Sequence, residues 1–132
     1  MKKYKILLID DDVDLVEQNR LYLEQNNCDV VFAYNGADGL TVARDQHPDL
    51  IVLDVMMEEV GEGFEVAREL RSNPETTATP ILMLSSVNNE HGFNLTIGPD
   101  QAWNPVDAFI DKPFSPQELL KKIMEMLTQD DA

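Results

Sequence analysis

The chain has 132 residues with 25 acidic and 10 basic side chains, and its formal net charge of −15 opposes the cationic, counterion-releasing contacts that hold proteins on nucleic acids and anionic membranes. That length suits one domain, 1–132, which buries roughly two-thirds of its unfolded surface and folds without disulfide or structural metal. A single cysteine, Cys28, excludes an internal disulfide and a cysteine zinc cage, and the apolar run of the opening MKKYKILLIDDD is too short for a signal peptide or membrane span, so a cytoplasmic location is expected.

Lys5 to Asp10 (KILLID) is a short apolar run that predicts a strand and leads into three consecutive aspartates, Asp10, Asp11 and Asp12. Two carboxylates about 4 Å apart in a partly buried site repel by roughly 4 kcal/mol, so something must offset them. Val13 to Asn26 puts Leu15, Val16, Asn19, Tyr22 and Leu23 on one stripe of a helix, capped by Asp12 or Asp14. Asp29 to Ala33 (DVVFA) predicts a second strand, and Ala37 to Gln46 a second helix with Leu40 and Ala43 turned inward. Leu50 to Val55 (LIVLDV) is the third strand, closed by Asp54, and Phe64 to Ser72 the third helix, with Phe64, Ala67 and Leu70 inward. Ile81 to Ser86 (ILMLSS) is the fourth strand, ending at Ser85 and Ser86.

From Ser86 to Asp107, two glycines, two prolines and several asparagines stand where a fourth helix belongs, so a short or irregular helix at most is expected there. Ala108 to Asp111 (AFID) is the fifth strand, followed directly by Lys112. Ser115, Pro116 and Glu118 supply the N-cap, first-turn proline and capping-box acid of a last helix. Its apolar face is Leu119, Leu120, Ile123, Met126 and Leu127, and it frays into the acidic tail QDDA. His47 and His91 read as loop residues and Trp103 as a cover over the irregular segment.

Alternating strands and helices predict an α/β fold, a doubly wound five-stranded parallel sheet with helices on both faces. Ligands of such sheets bind beyond the carboxyl ends of the strands, where Asp10, Asp11, Asp54, Ser85 and Lys112 gather. Three carboxylates make an oxygen-rich site for a hard divalent cation. Lys112 offers a point charge and Ser85 a hydroxyl to phosphoryl oxygens, and Asp54 can attack phosphorus to form an acyl phosphate. Two alternatives stay open on these residues. Asp10 to Val13 also resembles the aspartate nucleophile motif of haloacid-dehalogenase-type phosphatases, although Asp54 would then have no role, and that class needs a further acidic motif near a late strand end, whereas Asp130 and Asp131 lie in the tail. The other is a scaffold that is never phosphorylated.

Four motifs in order, IDDD, LIVLDVMM, ILMLSS and FIDKPF, resemble the receiver domain of two-component response regulators, the CheY-like superfamily, over essentially the whole chain. The resemblance implies a flavodoxin-like strand order, 2-1-3-4-5. It implies that Asp54 is the phosphoacceptor, supplied by a phosphohistidine of a sensor histidine kinase or histidine phosphotransfer protein, and that the domain signals without being a turnover enzyme. Mg²⁺, for which Mn²⁺ can substitute, would be held by Asp11 directly, by Asp10 mainly through water, by Asp54 and by the backbone carbonyl of Met56. Ser85 and Lys112 would contact the phosphoryl group, Phe109 would be the switch aromatic, and the bond before Pro113 would be cis. A downstream protein would bind the surface made by the fourth-helix region, the fifth strand and the last helix.

Two departures stand out. In MEEVGEGF, Glu58 replaces the usual proline and the loop is one residue longer. The stretch between Ser85 and Phe109 is several residues longer than usual and lacks Gly-Ala before the fifth strand.

Overall fold

The computed structural model describes residues 3–54, 62–85 and 106–129, with Glu62, Ser85 and Gln129 described through the backbone alone. In chain order these form β1 (Tyr4–Ile9), α1 (Val13–Gln25), β2 (Cys28–Ala33), α2 (Gly36–Gln46), β3 (Leu50–Asp54), α3 (Glu62–Ser72), β4 (Ile81–Ser85), β5 (Ala108–Asp111) and α4 (Pro116–Gln129). All five strands are parallel, in the order β2-β1-β3-β4-β5, as the resemblance implied.

The continuous apolar runs follow from burial on both faces. Odd-numbered residues of the central strands, such as Leu7, Ile9, Leu53 and Met83, pack with Ala67 and Leu70 on the side of α2 and α3. Even-numbered ones, such as Ile6, Leu8, Val52 and Leu82, pack with Leu23 and Ile123 on the side of α1 and α4. A slip of one residue would exchange the two sets, so register is tightly specified. Ile6, Leu53 and Leu82 are each 0% exposed, and truncating any one to Ala would cost about 2–5 kcal/mol.

Helix ends follow their capping residues. Asp12, of the two aspartates considered, caps α1, its Oδ1 accepting from the Leu15 N–H at 3.1 Å. Asn35 caps α2 by accepting from the Asp38 N–H at 2.8 Å, so that helix starts at Gly36, one residue before its predicted start. His47 closes α2 in the left-handed region at φ 51°, its N–H donating to the Ala43 carbonyl at 3.2 Å. The capping box of α4 is formed in both directions: the Glu118 N–H donates to Ser115 Oγ at 3.1 Å and the Ser115 N–H to Glu118 Oε1 at 3.0 Å.

Several boundaries differ from expectation. β1 stops at Ile9, leaving Asp10 just past the strand, and β2 begins one residue earlier, at Cys28. α3 begins at Glu62, before its first apolar anchor, Phe64. Leu15, Tyr22, Leu40 and Phe64, predicted inward, are half-buried. Val55, Met56, the Glu58 loop, residues 86–105 with His91 and Trp103, and the tail 130–132 lie outside the described residues.

Candidate functional site

The chain leaves β1 to build β2 on one side, then returns to build β3 on the other. This reversal opens a crevice at the carboxyl ends of β1 and β3, the usual ligand position in such sheets. Asp10 and Asp11 follow β1, Asp54 ends β3, and Lys112 follows β5. One oxygen from each of Asp10, Asp11 and Asp54 lies within 4.8 Å of the others. Asp10 and Asp54 are buried, whereas Asp11 is exposed.

Asp10 is held by two backbone contacts. Its N–H donates to the Ala33 carbonyl at 3.1 Å, prolonging the β1–β2 pairing by one step. Its Oδ1 accepts from the Asp12 N–H at 3.0 Å. Its Oδ2 is fully buried and receives no hydrogen bond from any donor among the described residues. Burial pushes the Asp10 carboxyl up from 3.8 to about 7; the Asp12 N–H opposes this, the Asp54 carboxylate beside it reinforces it, and Lys112 lowers it.

Lys112 Nζ lies 3.2 Å from Asp54 Oδ2, forming an ion pair whose carboxylate is almost wholly buried. One ammonium faces three carboxylates, so the cluster keeps excess negative charge when all are ionised. Hard oxygen donors, two of them buried, with one orphaned oxygen among them, fit a small divalent cation such as Mg²⁺.

The remaining predicted residues divide. Ser85 ends β4 opposite Asp111, one step beyond the Asp54–Leu84 pair, so its backbone stands at the site. Phe109, opposite Met83, is half-buried against the core on the α2 and α3 side. The Lys112–Pro113 bond is cis. The Met56 carbonyl lies outside the described residues. Sequence reasoning saw Asp12 as a cap and missed its N–H contact with Asp10; the signal available was the Asp-x-Asp spacing, which allows a side chain to accept from the backbone two residues on.

The family model for the response regulator receiver domain matches residues 6–124. The chain is 35% identical over 127 residues to the alkaline phosphatase synthesis transcriptional regulatory protein PhoP of Bacillus subtilis (strain 168), covering 96% of this chain and 50% of that protein. It is 31% identical over 121 residues to protein PilG of Pseudomonas aeruginosa, covering 90% of this chain and 84% of that one. It thus spans about half the length of PhoP and most of PilG. Among solved structures, the chemotaxis response regulator CheY4 of Vibrio cholerae is similar with a TM-score of 0.76 and 27% identity, covering 94% of this chain and 98% of that one.

Proposed function

Since the chain belongs to the response regulator receiver domain family of two-component signalling, we propose that Asp54 accepts a phosphoryl group from a phosphohistidine of a sensor histidine kinase or histidine phosphotransfer protein. The observation that carries this reading is the Asp54–Lys112 pair, 3.2 Å apart with the Asp54 carboxylate buried, and two more carboxylates beside it at the end of the sheet.

In the transfer, an Asp54 carboxylate oxygen attacks phosphorus. The new P–O bond forms as the P–N bond to the imidazole breaks, and the imidazole departs with the bonding pair and takes a proton from solvent. Lys112, already seated on the attacking side chain, stabilises charge gathering on the phosphoryl oxygens. Ser85 contributes its hydroxyl to the same oxygens. Asp11, Asp54 and the Met56 carbonyl, with Asp10 mainly through water, would hold Mg²⁺, which would supply positive charge to the phosphoryl group and offset the crowded carboxylates. Water attack on phosphorus later returns Asp54 to its free form.

The output is a population shift, with Phe109 as the switch aromatic, on a surface formed by the 86–107 segment, β5 and α4, where a downstream protein binds. We assign the chain a cytoplasmic location. Among the described residues no helix is long and apolar enough to cross a membrane. With a net charge of −15, this chain itself is given no nucleic-acid contact. Asp10 is the poorer nucleophile, since its Oδ1 already accepts from Asp12 and burial favours its protonated form, so the phosphatase alternative is not favoured.

Incubation with Mg²⁺ and a small acyl phosphate, followed by intact mass measurement, tests the reading. Wild type gains one phosphoryl group and Asp54→Asn gains none. No gain by wild type, or an equal gain by Asp54→Asn, overturns it.

A further inference from the structure

Asp12 is outside the cation cluster, yet it joins α1 to Asp10. Its N–H donates to Asp10 Oδ1 at 3.0 Å, its own Oδ1 accepts from the Leu15 N–H at 3.1 Å, and its carbonyl accepts from the Val16 N–H at 3.0 Å. The residue is thereby fixed in an extended conformation, φ −85° and ψ 98°. The cap that starts the helix also aims the N–H that pins Asp10.

Pinning Oδ1 limits rotation of the Asp10 carboxylate and leaves Oδ2, buried and without a donor among the described residues, as the oxygen available to a cation or to a water that the cation holds. In metal sites, groups outside the coordination sphere that orient a ligand contribute substantially to affinity. Asp11, between the two, is exposed, so the buried part of the cluster near α1 depends on this contact.

We propose that Asp12 is a positioning residue for the cation site: by capping α1, it holds its own N–H on Asp10 Oδ1 and keeps Asp10 Oδ2 available to Mg²⁺. This rests on the reading of Asp10, Asp11 and Asp54 as a Mg²⁺ site. Linkage makes the effect reciprocal, so Mg²⁺ binding also tightens the cap.

The test is Mg²⁺ titration by calorimetry on wild type, Asp12→Ala, Asp12→Gly, Asp12→Ser and Asp12→Asn. Asp12→Ala weakens Mg²⁺ binding by about fivefold, while Asp12→Ser and Asp12→Asn, uncharged but able to cap, stay within about twofold of wild type. Asp12→Gly costs the helix little, which keeps the comparison open where Asp12→Ala folds poorly; it too weakens binding. Asn35→Ala removes the cap of α2 and serves as the control, losing stability without losing Mg²⁺ affinity. In wild type, Mg²⁺ slows hydrogen exchange of the Leu15 amide. Wild-type affinity in both Asp12→Ala and Asp12→Gly, or weakening in Asp12→Ser and Asp12→Asn equal to that in Asp12→Ala, overturns the proposal. A wild type that binds no Mg²⁺ overturns the site reading beneath it and the proposal with it.

Discussion

Lys112 Nζ lies 3.2 Å from Asp54 Oδ2 although 58 positions separate the two residues in the chain. Strand order produces the contact. Lys112 follows β5, Asp54 ends β3, and both strands flank β4, so the ammonium reaches across one strand to the carboxylate. Replacing the ammonium with an apolar side chain removes the charge that opposes Mg²⁺ as well as the charge that assists transfer. Lys112→Met is therefore expected to bind Mg²⁺ at least as tightly as wild type while phosphoryl gain from a small donor slows by roughly 10- to 100-fold. Calorimetry and time-resolved mass measurement on the same sample separate the two effects.

The Asp10 carboxyl, pushed from 3.8 to about 7, holds a proton more tightly in the folded chain than in the unfolded one. Its contribution favours the folded state at low pH, and this advantage is lost as pH rises from 3.8 to about 7. Above that window, the ionised, buried carboxylate costs on the order of 2–4 kcal/mol. In chelator at pH 8, Asp10→Asn is expected to be more stable than wild type by a few kcal/mol, with the gap closing toward pH 4. Urea denaturation at the two pH values measures this. Mg²⁺ is expected to stabilise wild type at pH 8 and to do little for the variant.

At Gly39, α2 packs tightly against Ile9 of β1. A Cβ there would lie 2.6 Å from Ile9 Cδ1, 2.9 Å from Cγ1 and 3.0 Å from Cγ2. Ile9 is 0% exposed and immediately precedes Asp10, so it has little room to yield. Gly39→Ala gains up to about 1 kcal/mol of helix propensity but forces the helix or Ile9 to move, at about 1–3 kcal/mol. Net destabilisation in urea is expected; a more stable variant would show that Ile9 repacks freely.

At the opposite end of the sheet, Arg71 clasps the turn after α3. Its guanidinium donates to the carbonyls of Thr77 and Thr79, at 3.0 and 2.7 Å, and pairs with Asp107 at 2.5 Å. Asp107 Oδ2 also accepts from the Ile81 N–H at 2.8 Å, so one carboxylate anchors the starts of both β4 and β5. Asp107→Ala leaves that N–H and the guanidinium short of an acceptor and is expected to cost about 1–3 kcal/mol. Being far from the acid cluster, the substitution should leave Mg²⁺ affinity unchanged.

The central strands β1, β3 and β4 were legible because their apolar runs are buried on both faces, the edge strands β2 and β5, only partly buried, from their short apolar runs alone, and the starts of α1 and α4 because Asp12 and Ser115 are strong caps. The starts of α2 and α3 were less legible. Gly36, Glu62 and Gly63 precede the first apolar anchors, and neither glycine favours a helix by itself. The acids and Lys112 could be named from the residues alone and placed at the carboxyl ends of the strands, whereas the strand order that sets β3 beside β1 came with the family resemblance. The Asp12 contact with Asp10 escaped because it is made by a backbone N–H, which every residue but proline carries.

The central claim, that Asp54 is the phosphoacceptor, is tested most directly by trapping the modified side chain. Protein treated with Mg²⁺ and a small acyl phosphate is reduced with borohydride, which converts an aspartyl phosphate to homoserine, and the peptides are sequenced by mass. The account predicts homoserine at position 54 alone, and none when a chelator replaces Mg²⁺. Homoserine at position 10, or an unmodified position 54 in protein that has gained phosphate, would contradict it.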